Sequence, residues 1–436
     1  MTRARDTIFA LSSGRPPCAI AIIRLSGPEA LAAARAVTGR DLPAPRRAAL
    51  RRFRDPATNE LIDEGLLLWF PAAASVTCEP LVELHCHGSH AVVRDLQTSL
   101  AALPGLRAAA AGDFTRRAFA NGRMDLASVE GLGDLLAAET ALQRRAALAM
   151  MGGALSRRIE GWTHDLRRLA AQVEARLDFS DEGDVADSAG PADLAAPCAR
   201  IAGEIAAELA KPSAERLKDG VRVAIGGPPN AGKSTLFNAL IGRDAAIVSP
   251  QAGTTRDVIE ASVAIGGIPM VIADSAGLRE TGDVIERIGV DRAEALLAAA
   301  DIILWLGDEA VRPEVDGVLL QVAAKADLVK AASTPALAGA HVVSAVTGEG
   351  MDALLIALQQ AGGDLMPAPG DYALSQRQRD VLARVLVAVR EAALLTDEVL
   401  IGECLRMALT ALDELTGRAT TEAVLDELFA GFCIGK

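Results

Sequence analysis

The chain has 436 residues, of which 50% are apolar and 3% aromatic, and 44 Lys and Arg against 57 Asp and Glu leave a net charge of −13. That length suggests roughly two to four domains, with cores of Ala, Leu, Val and Ile that suit helices and α/β layers better than β-sandwiches. The acidic balance excludes a uniformly basic nucleic-acid-binding surface, although not a local basic patch.

In chain order, residues 1–120 mix short apolar runs with Gly and Pro. AIAIIRL (19–25), GLLLWF (65–70) and PLVELHCH (80–87) predict strands, and Ala30 to Val37 and Ala91 to Leu103 predict helices, an α+β domain. His85, Cys86 and His87 invite a metal, but adjacent residues on a strand point to opposite faces, so the segment reads as a structural strand. From Leu126 the texture is helical. Ile159, Trp162, Leu166, Leu169, Val173 and Leu177 recur at three or four residues and form one stripe. An acidic break from Asp178 to Asp193 precedes a second helix through Ile201 and Leu209. Strands then alternate with helices from Val221 to about Leu358, which signals a parallel sheet. After the break at 362–371, Ile401, Leu405, Ala408, Leu412 and Leu415 restore the helical period. Helical texture on both sides of the α/β segment implies one helical domain with an α/β domain inserted into it.

Six scattered cysteines with no CxxC pair suggest neither a disulfide framework nor a zinc ribbon, and point to a reducing compartment. The N-terminus lacks an apolar core long enough for a signal peptide. The apolar stretch Ala295 to Leu306 is broken by Asp301 and falls short of the roughly 20 residues a membrane span needs. A cytoplasmic protein without membrane attachment is expected.

The inserted segment carries its chemistry openly. After the apolar run Val221 to Ile225 comes Gly227-Pro-Pro-Asn230-Ala231-Gly232-Lys233-Ser234-Thr235, which fits G-x-x-x-x-G-K-[ST] between a strand and a helix. Backbone N–H groups of such a loop, and the N-terminus of the helix after it, cradle phosphates. Lys233 would reach the β- and γ-phosphates and the Ser234 hydroxyl would hold Mg²⁺. Asp274-Ser275-Ala276-Gly277 reads as D-x-x-G, with Asp274 near the Mg²⁺ shell and Gly277 at the γ-phosphate. Ala252-Gly253-Thr254-Thr255-Arg256-Asp257 supplies a threonine able to sense that phosphate through Mg²⁺. Lys325-Ala326-Asp327 places a carboxylate to select guanine, and Ser344-Ala345 would sit against the base. Each short motif is weak alone; four in order predict a GTP-binding and GTP-hydrolysing domain. Two departures stand out. Ala324 replaces the usual Asn of N-K-x-D, which predicts weaker nucleotide affinity with guanine preference kept by Asp327. Leu278 follows D-x-x-G where a Gln would orient water, so hydrolysis is slow or another group performs it.

Beyond these motifs, the opening DTIFALSSGRPPCAIAIIRLSG, the block GDFTRRAFANGRMDLASVE (112–130), the stretches AIVSPQAGTTRDVIE and DSAGLRETGDVIERIGV, and the terminal FCIGK resemble the tRNA-modification GTPase family MnmE/TrmE along nearly the whole chain. The resemblance implies an N-terminal α+β folate-binding and dimerisation domain (1–120), a helical domain in two parts (121–217 and 364–436) and an inserted Ras-like P-loop GTPase domain (218–363). It implies K⁺-activated hydrolysis, with Asn230, Ser249, Gln251 and Thr254 around the K⁺, Thr255 as the Mg²⁺-linked threonine and Glu286 orienting the attacking water. It implies a 5-formyl- or methylene-tetrahydrofolate held by Arg24, Glu83, Arg123 and the C-terminal Lys436, with Cys433 a candidate catalytic thiol beside it. The family more often has Lys where Arg123 stands, which keeps charge but not geometry. Homodimers would join a flavin-dependent subunit, MnmG, to place an aminomethyl or carboxymethylaminomethyl group at C5 of the tRNA wobble uridine. Arg116, Arg117, Arg157 and Arg158 read more economically as a solvated helix face than as a tRNA-facing patch. The rival reading is a ribosome-assembly GTPase switch, which needs neither the long N-terminal domain nor the C-terminal CIGK.

Overall fold

The computed structural model describes residues 6–178, 192–244, 259–274, 294–308, 317–328, 339–368, 370–419 and 421–435. The chain forms two compact units. The first takes residues up to Gly133, Ser156–Glu160 and Thr410 onward; the second takes Asp134–Leu155 and Gly161–Leu409.

The first unit is built on a six-stranded sheet of β1 (Thr7–Leu11), β2 (Cys18–Ser26), β3 (Ala49–Arg54), β4 (Leu61–Phe70), β5 (Leu81–Gly88) and β6 (Leu106–Ala108), in the order β3-β4-β5-β2-β1-β6. All neighbours are antiparallel except β1 and β6. The three predicted strands are β2, β4 and β5, and the two predicted helices are α1 (Ala30–Thr38) and α2 (His90–Ala101). Period-two alternation sends Ala21, Ile23, Leu25, Phe53, Leu67, Val82, Leu84 and Cys86 to one face, where they form a core with Ala34, Val37, Leu96 and Leu100 of the two helices. The other face keeps a row of partners across the sheet, Leu50–Leu66–His85–Ile22. Leu50 and Leu66 of this row remain exposed, as does Ile20.

α3 (Asp113–Ala120) and the first turns of α4 (Leu126–Ala137) complete this unit with residues from the far end of the chain. Leu126 and Val129 pack with Leu425, Phe429 and Phe432, and Phe119 joins them. The tail is tied to the sheet region by a bridge between Ala111 and Ile434 and by the Ser12 hydroxyl, which donates to the Gly435 carbonyl at 3.0 Å.

The second unit holds most of the helical texture and the second sheet. α5 (Ala141–Met151) starts on a Thr140/Gln143 capping box. α6 (Ala154–Asp178) carries the predicted stripe: Trp162, Leu166, Leu169 and Val173 are buried, while Leu177 at the last turn is exposed. α7 (Ala192–Leu209) lies beside it, and the Trp162 indole N–H donates to Glu204 at 3.0 Å. α8 (Ala214–Asp219) then leads into β7 (Val221–Gly226), α9 (Lys233–Asp244), β8 (Ile259–Ile265), β9 (Ile268–Asp274), β10 (Ile302–Trp305), β11 (Val318–Ala323), β12 (His341–Val342) and α10 (Met351–Asp364). The strand order is β12-β11-β10-β7-β9-β8, parallel throughout except the β8–β9 pair. β7 is central and almost wholly buried, so the loop that follows it sits at the middle of the sheet's carboxyl edge, where open α/β sheets place ligands.

The helical texture resumes in α11 (Gln376–Leu394), α12 (Glu398–Thr416) and α13 (Glu422–Ala430). Entry into and exit from the α/β segment lie side by side. Ser213 bridges Leu374, the Ala214 N–H donates to the Leu374 carbonyl at 2.9 Å, and the Gln376 N–H donates to Glu215 at 2.7 Å. Buried Glu208 accepts from Tyr372 at 2.9 Å and pairs with Lys211 at 3.1 Å, which pins the same junction. An insertion whose ends meet in this way leaves the host helices able to pack as if uninterrupted.

Candidate functional site

The nucleotide site is assembled from the carboxyl ends of β7, β9 and β11 and the segment after β12. The loop after β7 turns through Gly227 (φ 141°), Asn230 (φ 60°) and Gly232 (φ 103°). These left-handed values suit glycine, and a Cβ at Gly227 would lie 3.1 Å from Leu306. α9 opens at Lys233, so its first N–H groups face the loop. Lys233 is 6% exposed, and its ammonium donates to the Gly227 and Pro228 carbonyls, each at 2.9 Å. This holds the charge inside the ring of backbone that would surround phosphates. The Ser234 hydroxyl donates to Asp274 Oδ2 at 2.6 Å, and Asp274, paired with Ile225 across β9 and β7, is 1% exposed. A hydroxyl and a carboxylate meeting beside a phosphate loop are the oxygen donors that Mg²⁺ takes in such sites. Thr235 follows Ser234 and is exposed, and Ala231 packs against the core.

At the base end, Lys325 (φ 66°) reaches back to the phosphate loop and donates to the Asn230 carbonyl at 2.5 Å. The Ser344 hydroxyl, fully buried, donates to Asp327 Oδ1 at 2.6 Å and accepts from the Thr347 N–H, which orients the carboxylate expected to read guanine. Ala345 comes next and is half-buried. The Ala326 N–H donates to Val343 and the Val343 N–H to Ala323, so the two base-end segments are tied together. Ala324 lies against the apolar core, and a Cβ on Gly232 would be 3.8 Å from its methyl. An Asn at this position would therefore reach the phosphate loop; Ala leaves only a packing contact. Ser249, Gln251, Gly253, Thr254, Thr255, Ser275, Ala276, Gly277, Leu278, Glu286 and Lys436 lie outside the described residues.

A second polar constellation lies in the first unit, on the sheet face opposite α1 and α2. Arg24 and Glu83 are register partners on β2 and β5. Arg24 donates from Nε and Nη2 to Glu83 Oε1 at 3.2 and 2.9 Å, and His85 Nε2 meets Oε2 at 3.3 Å. The Arg24 guanidinium also lies 5.9 Å from the centre of the Phe114 ring. His87 turns instead to Asp63, at 2.8 Å. Cys86 points to the core, where burial, reinforced by the Asp63 charge, pushes its thiol up to about 11; it stays protonated and inert at neutral pH. Cys433 is exposed, on the tail that Ala111 and Ser12 hold. Arg123 is exposed, and its backbone N–H donates to the Ala118 carbonyl at 2.8 Å.

Of the four arginines read as a solvated helix face, Arg157 and Arg158 are exposed on α6, whereas Arg116 and Arg117 of α3 depart from that reading. Arg117 is 6% exposed and bonds the Asp6 and Ser26 carbonyls, Glu79 at 3.0 Å and Asp6 Oδ1 at 2.9 Å. Burial opposes the charge of Asp6, yet the hydrogen bond from Arg107 and the charges of Arg117 and Arg107 hold its carboxyl below the usual value. Arg116 pairs with Glu422 and Asp426 of α13 at 2.6 and 2.8 Å. Both side chains fasten α3 in place. Nothing local in FTRRAF announces this, because the partners lie up to 310 residues away.

The family models "MnmE helical domain" and "GTP-binding protein TrmE N-terminus" match residues 126–433 and 7–123. Among named relatives, the tRNA modification GTPase MnmE of Erythrobacter litoralis is 51% identical over 434 residues, covering 99% of this chain and 100% of its own. The protein of the same name from Rhizorhabdus wittichii is 52% identical over 437 residues, covering 99% and 97%. The solved G domain of the T. maritima FeoB iron transporter aligns with 32% of this chain and 98% of its own at 25% identity and a TM-score of 0.24; the fold assignment rests on the strand order itself.

Proposed function

The chain belongs to the MnmE family of tRNA modification GTPases, and from that membership we propose that it hydrolyses GTP to drive modification of C5 of the tRNA wobble uridine, in concert with the flavin-dependent subunit MnmG. The observation that carries the GTPase reading is the joining of Lys233, Ser234 and Asp274 at the phosphate end with Lys325, Asp327 and Ser344 at the base end. The loop backbone and Lys233 bind the phosphates, Ser234 and Asp274 offer oxygens to Mg²⁺, and Asp327, oriented by Ser344, selects guanine. Thr255 is assigned to the Mg²⁺ shell, and Asn230, Ser249, Gln251 and Thr254 to K⁺. The monovalent cation would supply positive charge against the developing charge on the phosphates. Glu286 would orient water where Leu278 cannot.

In the N-terminal domain, Arg24 and Glu83, with Phe114 beside them, fit a flat, polar heterocycle such as the pterin of a 5-formyl- or methylene-tetrahydrofolate. Arg123 and Lys436 would meet its anionic part, and Cys433 would stand close to the one-carbon unit. The exposed apolar row through Leu50 and Leu66, with Ile20, supports a homodimer through this sheet face. Domain boundaries fall near residues 120, 217 and 363. No helix among the described residues is long and apolar enough to cross a membrane, and we place the protein in the cytoplasm with its tRNA.

GTP turnover by the purified chain, measured in K⁺ and in Na⁺ at equal ionic strength, tests this reading. Strong turnover in K⁺ alone is expected. Equal, slow turnover in both would remove the cation mechanism and favour a simple switch, and unchanged wobble uridine in a deletion strain would remove the modification role.

A further inference from the structure

Between Arg35 and Arg54 the sequence holds seven arginines and no lysine, with Asp41 the lone acid, in a chain of net charge −13. The structure gathers five of them around the loop that joins α1 to β3. Arg35 is in the last turn of α1 and Arg40 directly follows the helix's glycine cap. Arg46 and Arg47 are in the loop, and Arg51 lies on the face of β3 that bears Phe53, the face α1 covers. Arg51 donates to the Asp41 carbonyl at 3.4 Å, which draws the loop back along the strand. Arg35, Arg40, Arg46 and Arg47 are all exposed, and none has a carboxylate partner among the described residues.

A charged edge strand has a plain explanation, since arginines on an outer strand deter edge-to-edge pairing. That covers Arg52, which pairs with Glu64, and Arg54, which caps the hairpin turn by donating to Asn59. It does not cover Arg35, Arg40, Arg46 and Arg47, which are off the strand. Two observations set the loop apart. Arg46 adopts φ 61°, a left-handed conformation that costs an ordinary side chain about 1 kcal/mol or more and that glycine would take without strain. The loop is also held in place: the Trp69 indole donates to the Pro43 carbonyl at 2.6 Å, the Arg46 N–H to Trp69 at 2.9 Å and the Arg47 N–H to Ala44 at 3.2 Å. A stiff loop that keeps a strained arginine presents its cations in a set arrangement, so a partner does not have to order them.

We propose that this loop, through Arg35, Arg40, Arg46, Arg47 and Arg51, is the docking surface for the phosphate backbone of tRNA. Planar guanidinium groups bind phosphate oxygens two at a time, which lysines do not. A protein partner is disfavoured because this surface lacks the buried aromatic or aliphatic anchor that dominates protein interfaces; the exposed residues of the loop are Gly39, the arginines, Ala44, Pro45, Ala48 and the single acid Asp41. The inference rests on the tRNA reading above and adds to it the place where the RNA sits.

The test is binding of a tRNA transcript to the full chain across a salt series, for the wild type, the double variant Arg46→Gln/Arg47→Gln, and Arg46→Gly. Removing two phosphate contacts should weaken binding about tenfold or more at low salt and flatten the slope of log K against log salt by about 1.5 to 2. GTP turnover should not change. Arg46→Gly should raise the melting temperature by relieving the left-handed strain and still lower tRNA affinity, which separates the effect from misfolding. Wild-type affinity and slope in the double variant would overturn the docking site and leave the tRNA reading standing. No binding of tRNA by the wild type would remove both. Loss of MnmG binding with tRNA affinity intact would assign the surface to an acidic protein instead, against the proposal.

Discussion

The phosphate loop and the Arg24–Glu83 constellation differ in how far their parts travel along the chain. Lys233 bonds carbonyls five and six residues away, and the loop's working groups are mostly its own N–H dipoles. Arg24 meets Glu83 from 59 residues away, and the C-terminal tail of the same unit is held by Ser12 from 423 residues away. A site made of consecutive backbone is written as a short motif; a site made of side chains on separate strands exists only once the sheet has formed. The first tolerates change elsewhere in the fold, and the second depends on every element that sets its register.

The sharpest break of this comparison is Lys233→Ala. It should lower kcat/KM for GTP by roughly 100- to 1000-fold, the cost of removing one preorganised charge or donor from such a site, while the unfolding transition of the first unit stays put. A variant that lost turnover and also melted that unit early would show that the phosphate loop contributes to the stability of the first unit. Arg117→Ala makes the converse cut. It leaves Glu79, Asp6 and two carbonyls without their shared donor, and should cost about 3 kcal/mol of stability, read by denaturant unfolding, with GTP turnover per folded molecule unchanged. An unfolding midpoint equal to that of the wild type would show that α3 is anchored by its apolar contacts alone. The smallest effect belongs to Ala324→Asn. Restoring a polar contact to the phosphate loop should tighten GDP binding by about 1 kcal/mol, or roughly fivefold. Titration with a fluorescent GDP analogue that gave equal affinity for both proteins would mean that Lys325, already on the Asn230 carbonyl, does the whole of the tethering.

Much of this was legible in the residues. The α/β alternation, the strand–loop–helix of the phosphate site, and the apolar stripe on α6 follow from local periodicity and turn chemistry, which neighbouring residues determine among themselves. The arginine-rich β3 was not legible, because edge strands carry charge where central strands carry Val and Ile. Leu177 was expected in the stripe and is exposed, because it falls in the last turn of its helix. Arg116 and Arg117 are adjacent in one helix, yet Arg116 is half-exposed on α13 and Arg117 is sealed against Asp6 and Glu79.

By itself the sequence determined local structure: where the phosphate-loop motif falls between a strand and a helix, which segments alternate as an α/β layer, and which helices need a buried face. Only the tertiary structure decided which distant residues meet. It brought the C-terminal tail to Ser12, gave Glu83 to Arg24 and His85 while Asp63 took His87, and buried Arg117. The physical reason is that backbone conformation and amphipathic period are set within a few residues, whereas an ion pair or a bridge across strands depends on register and packing, which the whole chain settles together.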